Sequence, residues 1–300
     1  MRAPRLSSSV KTLDDRKHNM ATITVDGVRL AYDEAGAGPP VIWVHGGFTD
    51  RRGFDLVVPL LAERYRVITY DRRGHSQSER VPGRQGVADH VTDLAALIEQ
   101  LDVGPAHLVS NSDGGEIALK LAVLRPWLVA SLWLHEPSLH GILPDDPEVE
   151  QPLEDLQARL DRVIAELEQG NNETAARLLI DDPAVMGPGA WDALPEQTRR
   201  TFIHNGPTWL DTARDPTYGL LDVDQLAGIT VPVMMSGGAH SDPADSAVVA
   251  CLAHAFPHAR RHTFPDAGHV PHRTHPDEFA GVVTGFLHAV AAQARDGMAR

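Results

Sequence analysis

The 300-residue sequence predicts an α/β fold, a mostly parallel sheet of about eight strands flanked by helices, with a helical cap inserted late in the chain. Three observations predict it. Short apolar runs alternate with amphipathic stretches from residue 21 onward, the rhythm of repeated βα units. One of these runs leads into Ser112, and a glycine pair leads out of it into a helix. The alternation stops between 140 and about 222, where only helical periodicity is found, and then resumes.

The elements follow in order. Thr22–Val25, a turn at Asp26-Gly27 and Val28–Tyr32 read as a β-hairpin. Gly36-Ala-Gly-Pro-Pro40 breaks the chain before Val41–His45, a continuous apolar run of the kind that is buried on both sheet faces. A helix over about 54–63 precedes the strand Arg66–Tyr70. Val91, Leu94, Leu97, Ile98 and Leu101 recur at helical spacing within 87–101. Ala106–Ser110 reads as a strand, Gly115–Leu124 as a helix and Leu128–His135 as a strand. In the insertion, Leu153, Leu156, Leu160, Val163, Ile164 and Leu167 form one stripe of a long amphipathic helix. Further helices are expected over 173–180, 190–202 and 208–213. Strands at 231–236 and 261–264 and helices at 246–255 and 277–292 complete the pattern. The expected organisation is a core of 21–139 and 223–300 and a cap of 140–222.

Residues 1–20 are polar, Ser-rich and charged, and read as a disordered tail; a start at Met20 would account for the first nineteen. They lack the apolar stretch of a secretory signal. The formal charge of −14 disfavours nucleic acid and anionic membranes as partners. No run approaches the ~18 apolar residues of a membrane span. The one cysteine, Cys251, cannot form an internal disulfide, which points to a reducing, cytoplasmic setting.

Three segments carry chemistry. In Leu108-Val-Ser-Asn-Ser-Asp-Gly-Gly-Glu-Ile-Ala-Leu119 a strand turns sharply into a helix at Ser112. Such an elbow exposes a nucleophile and requires small neighbours two residues to either side. Gly114 is one, and Ser110 stands where glycine is usual. Taken alone, the segment also fits an ordinary serine helix cap. His45-Gly-Gly-Phe48 directly follows a strand, where a loop could donate a backbone N–H to an oxyanion; Gly47 and Asp113 are the expected donors, both through the backbone. In Asp266-Ala-Gly-His-Val-Pro-His272, His269 is the candidate general base. His272 and His275 follow at a spacing of three, but nothing completes a ligand pattern, and no metal is expected.

Taken together, His45-Gly-Gly47, Tyr70-Asp-Arg-Arg-Gly-His-Ser-Gln-Ser78, Ser110-Asn-Ser-Asp-Gly-Gly115 and Ala267-Gly-His269 resemble the α/β-hydrolase fold superfamily over about 21–290. The order nucleophile, acid, histidine is that of the fold. In most of the family the acid follows the strand that is Val231–Ser236 here, in a Gly-x-x-Asp pattern. This chain reads Gly238-Ala-His-Ser-Asp-Pro243, with Ser241 at the expected position and Asp242 one residue late. The fold's other place for the acid is the end of the preceding strand, where Leu132-Trp-Leu-His-Glu-Pro137 offers Glu136. One group of haloalkane dehalogenases and the zearalenone-type lactonases keep it there, the lactonases with a Ser–Glu–His triad. Glu136 is therefore the preferred acid and Asp242 the alternative. Dehalogenase and epoxide-hydrolase chemistry need a carboxylate nucleophile, which this chain lacks at 112.

The resemblance implies a hydrolase of a carboxylic ester or lactone that works through an acyl-enzyme on Ser112, without metal or organic cofactor. C–C bond hydrolysis or non-hydrolytic cyclisation could use the same triad. A ligand sensor without turnover is the reading from a different class. The expected partner is a small apolar ester or lactone, with a homodimer left open. Phe48, Met186 and Trp191 are candidates for its contact surface, with Phe202, Trp209 and Tyr218 of the insertion as further aromatics suited to an apolar pocket, against plain core packing of each.

Overall fold

The computed structural model describes residues 20–298 apart from Pro82 and Arg84; the tail expected over 1–20 lies outside the described residues except for Met20. Eight strands form one sheet: β1 (Ala21–Val25), β2 (Val28–Ala35), β3 (Pro40–Val44), β4 (Arg66–Tyr70), β5 (Ala106–Asn111), β6 (Val129–His135), β7 (Val233–Gly238) and β8 (Arg260–Phe264). Their spatial order is β1-β2-β4-β3-β5-β6-β7-β8. The β1–β2 and β2–β4 pairs are antiparallel, and every other pair is parallel.

Side chains alternate across the strands, so each central strand feeds two cores. Ile42 and Val44 of β3, with Leu132 and Leu134 of β6, pack with α2 (Val87–Gln100), α3 (Asp113–Leu124) and α8 (Pro243–Ala255). Val41 and Trp43, with Trp133, face the opposite side against α1 (Val58–Leu61) and α10 (Pro276–Met298). Trp43 stacks on Phe54 at 4.2 Å between ring centroids. Burial on both faces is why these strands read as unbroken apolar runs.

Between β6 and β7 the chain is helical: α4 (Pro147–Glu168), α5 (Asn172–Ile180), α6 (Ala190–Ala193) and α7 (Glu196–Ala213). A short α9 (Pro271–Thr274) precedes α10. The α4–α7 helices have a core of their own, in which Val163, Leu167, Ala175, Ile180, Trp191, Phe202 and Trp209 meet Phe48 from the sheet side. Two boundaries differ from expectation. The helix expected over 54–63 is a 3-10 turn at Arg51–Phe54 followed by the single turn α1. The helices expected at 190–202 and 208–213 are divided instead at Leu194–Pro195, and α7 runs through Pro207. Proline removes one backbone donor. The packing of Phe202 and Trp209 on one side of α7, and the Thr208 hydroxyl bond to Gly74 O at 2.7 Å, hold the helix across it.

Among the described residues no helix is long and apolar enough to cross a membrane. Because β3, β5, β6, β7 and β8 run in parallel, the loops after them gather at one sheet edge, where ligands of open α/β sheets bind.

Candidate active site

β5 ends at Asn111, and α3 begins at Asp113. Ser112, between them, has φ 56° and ψ −128°. A non-glycine residue there carries backbone strain of about 1–3 kcal/mol, which the surroundings must hold in place. Ser112 N donates to His135 O at 3.0 Å, and Ser112 O accepts from Gly115 N at 2.8 Å. A Cβ on Gly114 would stand 2.0 Å from Val44 O, so the close approach of α3 to β3 demands glycine. Ser110 is tolerated two residues before because its buried hydroxyl donates to Trp133 O at 2.7 Å. Ser112 Oγ lies 3.2 Å from Ser138 Oγ.

The loop after β3 is held from behind. Arg72 N donates to His45 Nε2 at 3.0 Å, which leaves the His45 Nδ1 proton to bond Gly46 O at 2.8 Å. Burial and the neighbouring Arg72 keep His45 well below its ordinary pKa, consistent with that neutral tautomer. Arg72 Nη2 also donates to Gly46 O, at 2.9 Å. In a trans peptide the N–H points opposite the C=O. With Gly46 O directed at Arg72, the N–H of Gly47 is turned the other way, towards the cavity that both glycines line. A Cβ on Gly47 would meet the Trp209 ring at 2.3 Å. Asp113 opens α3, so its N–H has no acceptor within the helix. Its carboxylate accepts from Tyr218 OH at 2.8 Å and lies 3.6 Å from Arg72 Nη2.

His269 stands in the loop after β8. Its Nδ1 is 2.6 Å from Glu136 Oε2. The other oxygen, Oε1, accepts from Gly238 N at 2.6 Å. Glu136 is buried, with φ 43°, a left-handed turn at the end of β6 that aims its carboxylate across β7. Burial alone would raise the Glu136 carboxyl, but His135 and the His269 bond outweigh it and hold it down at about 2. Burial would lower His269, but Glu136, reinforced by Asp245, raises it to about 9. With Nδ1 donating to Glu136, Nε2 is the basic nitrogen. The backbone of His269 is fixed as well: its N donates to Ala184 O at 3.0 Å, and its O accepts from Asn111 Nδ2 at 3.0 Å.

Asp242 is elsewhere. It caps α8, accepting from Ala244 N at 2.8 Å, and pairs with Arg159 of α4. Asp245 Oδ2 is 3.7 Å from His269 Nδ1, while its Oδ1 bonds His140 Nε2 at 2.9 Å. Ligand atoms of Glu136, Asp245 and His269 lie within 4.8 Å of one another, yet the glutamate and the imidazole already hold each other. His272 packs on Trp43 at 5.0 Å, and burial keeps it well below its ordinary pKa. His275 bonds Thr274 Oγ1 at 2.9 Å.

A cavity of about 170 Å³ opens over Ser112, His269, Gly47 and Asp113. Phe48 and Met186 line it. Trp191 does not; it is 1 % exposed, inside the core that the α4–α7 helices share. Phe202, Trp209 and Tyr218, aromatics the sequence places in the insertion, line the cavity too, whereas sequence reasoning missed Ser138, Arg159 and Arg273. Trp209 and Phe202 share one face of α7, and Ser138 follows Glu136 by two residues, but only long-range packing brings them to Ser112.

The sequence matches the alpha/beta hydrolase fold family over residues 39–276. An uncharacterized hydrolase of Bacillus subtilis, YraK, is 36% identical over 143 residues, 46% of this chain and 53% of its own, so that match spans about half of the relative. BpoC of Mycobacterium tuberculosis, provisionally named a non-heme bromoperoxidase, is 31% identical over 88% of this chain and 100% of its own. The pimeloyl-[acyl-carrier protein] methyl ester esterase of Chromobacterium violaceum is 30% identical, again over 88% and 100%. Among solved structures, the enol-lactonase of Burkholderia xenovorans LB400 superposes with a TM-score of 0.72 over 89% of this chain and 100% of its own, at 21% identity, a likeness of fold.

Proposed function

The chain belongs to the α/β-hydrolase family, and on that premise we propose that it is a serine hydrolase of carboxylic esters or lactones. The observation that carries the reading is the His269–Glu136 bond at 2.6 Å beside a serine held at a positive φ. His269 Nε2 takes the Ser112 proton as Oγ attacks the carbonyl carbon. The N–H groups of Gly47 and Asp113 hold the oxyanion that forms. His269 then protonates the leaving alcohol or ring oxygen. A water, deprotonated by the same nitrogen, releases the acid and restores Ser112. Glu136 keeps the proton on Nδ1 and stabilises the imidazolium in between. The Ser112–Ser138 contact yields to His269 once substrate closes the site, as unliganded sites often leave the base bond unmade.

The full-length relative named a methyl ester esterase supports ester chemistry, and the mostly apolar lining suits an acyl chain or a lactone ring. A sensor without turnover has no use for the strain at Ser112 and Glu136, which argues for catalysis. The test is labelling by a fluorophosphonate together with a hydrolysis screen of aryl esters, macrolactones and 1,3-diketones, with Ser112→Ala as control. Labelling and ester or lactone turnover that both vanish in Ser112→Ala are expected. A folded protein that is never labelled sinks the reading, and turnover of diketones alone replaces it with C–C hydrolysis.

A further inference from the structure

The charges lining the cavity are paired unevenly. On the acidic side, Asp113 faces Tyr218 and Arg72, Asp182 and Asp242 are both paired with Arg159, and Asp245 is paired with His140. On the basic side this engages Arg159 and His140, while His269 is engaged by Glu136 and His272 is buried and neutral. Arg162 and Arg273 are left. Among the described residues neither has an ion pair within 4.0 Å or a side-chain hydrogen bond.

The two differ in setting. Arg162 is exposed at the cavity rim. Arg273 is half-buried on α9, four residues beyond His269 and on the same wall. Its guanidinium sits 5.9 Å from the Phe202 ring centroid. Asp50 and Asp55 attract it only through space. Asp50 is already satisfied, because its oxygens accept from Arg52 N, Ser76 Oγ and Thr201 Oγ1. A guanidinium partly withdrawn from water without a carboxylate partner is costly, and its planar fork fits a carboxylate in two parallel bonds. The chain as a whole carries −14, so long-range attraction does not favour anions here; the preference is local to this wall.

We propose that Arg273, with Arg162 at the rim, forms an anion subsite, so that the substrate is an ester or lactone that also carries a carboxylate. The apolar lining between would take the connecting carbon chain. The inference rests on the serine-hydrolase reading for its substrate class, but binding tests it separately.

The first readout is binding without turnover. Dicarboxylates from succinate to suberate are titrated by calorimetry into Ser112→Ala and into Ser112→Ala/Arg273→Met. At least one member is expected to bind, and the second change to weaken it by about 10- to 100-fold, the range of a charge-assisted bidentate bond. The second readout is discrimination: kcat/KM for mono-p-nitrophenyl adipate divided by that for p-nitrophenyl hexanoate, two esters of equal chain length. Arg273→Met should reduce this ratio by a similar factor, and Arg273→Lys should restore part of it. If no dicarboxylate binds, or if binding is indifferent to Arg273, the subsite is refuted and the guanidinium serves only to pack on Phe202. Dicarboxylate binding lost with Arg273, in a protein that a fluorophosphonate never labels, would keep the subsite and remove the hydrolase reading instead.

Discussion

Two neighbouring strand ends hold carboxylates, and they are used differently. At the end of β6, Glu136 is buried in a left-handed turn, bound to Gly238 N on one oxygen and to His269 on the other. In the loop after β7, Asp242 sits at a helix N-terminus and reaches outward to Arg159 on α4. The first is directed at an imidazole, the second at the helical segment. The imidazole can be served from either strand end, because β6 and β7 are adjacent and parallel. With Glu136 on the imidazole, Asp242 ties the loop after β7 to α4 instead.

That contrast can be broken most sharply at Glu136. Glu136→Gln leaves shape and the Gly238 bond in place but removes the charge, and kcat should fall by about 10³–10⁴, as for the corresponding change in a serine protease triad. Asp242→Asn measured in parallel should leave kcat near the parent value; a collapse there would reverse the assignment. Next in size is transplantation. Ser241 occupies the place where most relatives keep the acid, with a buried hydroxyl beside the Glu136 carboxylate that helps to hold its charge. Ser241→Asp placed in the Glu136→Gln background should return about tenfold of kcat, on the order of one good charge-assisted bond. No recovery would mean that the β7 loop no longer reaches the imidazole.

The pH profile sharpens the comparison further. On the proposed mechanism His269 must be deprotonated to act, and Glu136 raises its pKa, so kcat/KM should climb with pH through an acid limb above 6.5. In Glu136→Gln the limb should move to lower pH while its plateau drops, and in Asp242→Asn it should not move. The same pair has a stability signature. The raised His269 contributes stability that is fully present below 6.5 and lost as pH rises through about 9. The depressed Glu136 contributes stability present above 4.5 and lost as pH falls towards about 2. Being one pair, they count once, and Glu136→Gln should lower the melting temperature most between those limits. The smallest effect is expected from Asp242→Asn. Asparagine still caps α8, so only the partly exposed Arg159 pair is lost, worth up to about 1 kcal/mol in denaturant unfolding.

Much of this was legible in the sequence where the controlling forces are local. The apolar runs of β3, β5 and β6 are buried on both faces, and the elbow at Ser112 is written in its glycines. The strand-end reading that preferred Glu136 follows from the missing carboxylate at 241. What could not be read depends on distant partners. Nothing in Gly189-Ala-Trp191 tells whether Trp191 lines the cavity or packs within the helical core, since both are apolar. Arg159 and Arg273 are unremarkable in their own segments; among the described residues one is paired and the other is not because of where α4 and α9 come to rest. The sequence reading breaks the helix between 202 and 208, but packing carries α7 unbroken through Pro207.

One bond described above bears on how such enzymes diversify. The N–H of His269 is held by Ala184 O, a carbonyl of the helical segment, and a Cβ on Gly268 would collide with that same oxygen at 2.6 Å. The segment therefore does more than shape the chamber: it is part of the seat of the imidazole. Exchanging it wholesale with that of a relative would carry off one of the fasteners of the proposed general base. A chimera that keeps residues 182–187 of this chain should preserve turnover better than one that divides the fold at the strand ends.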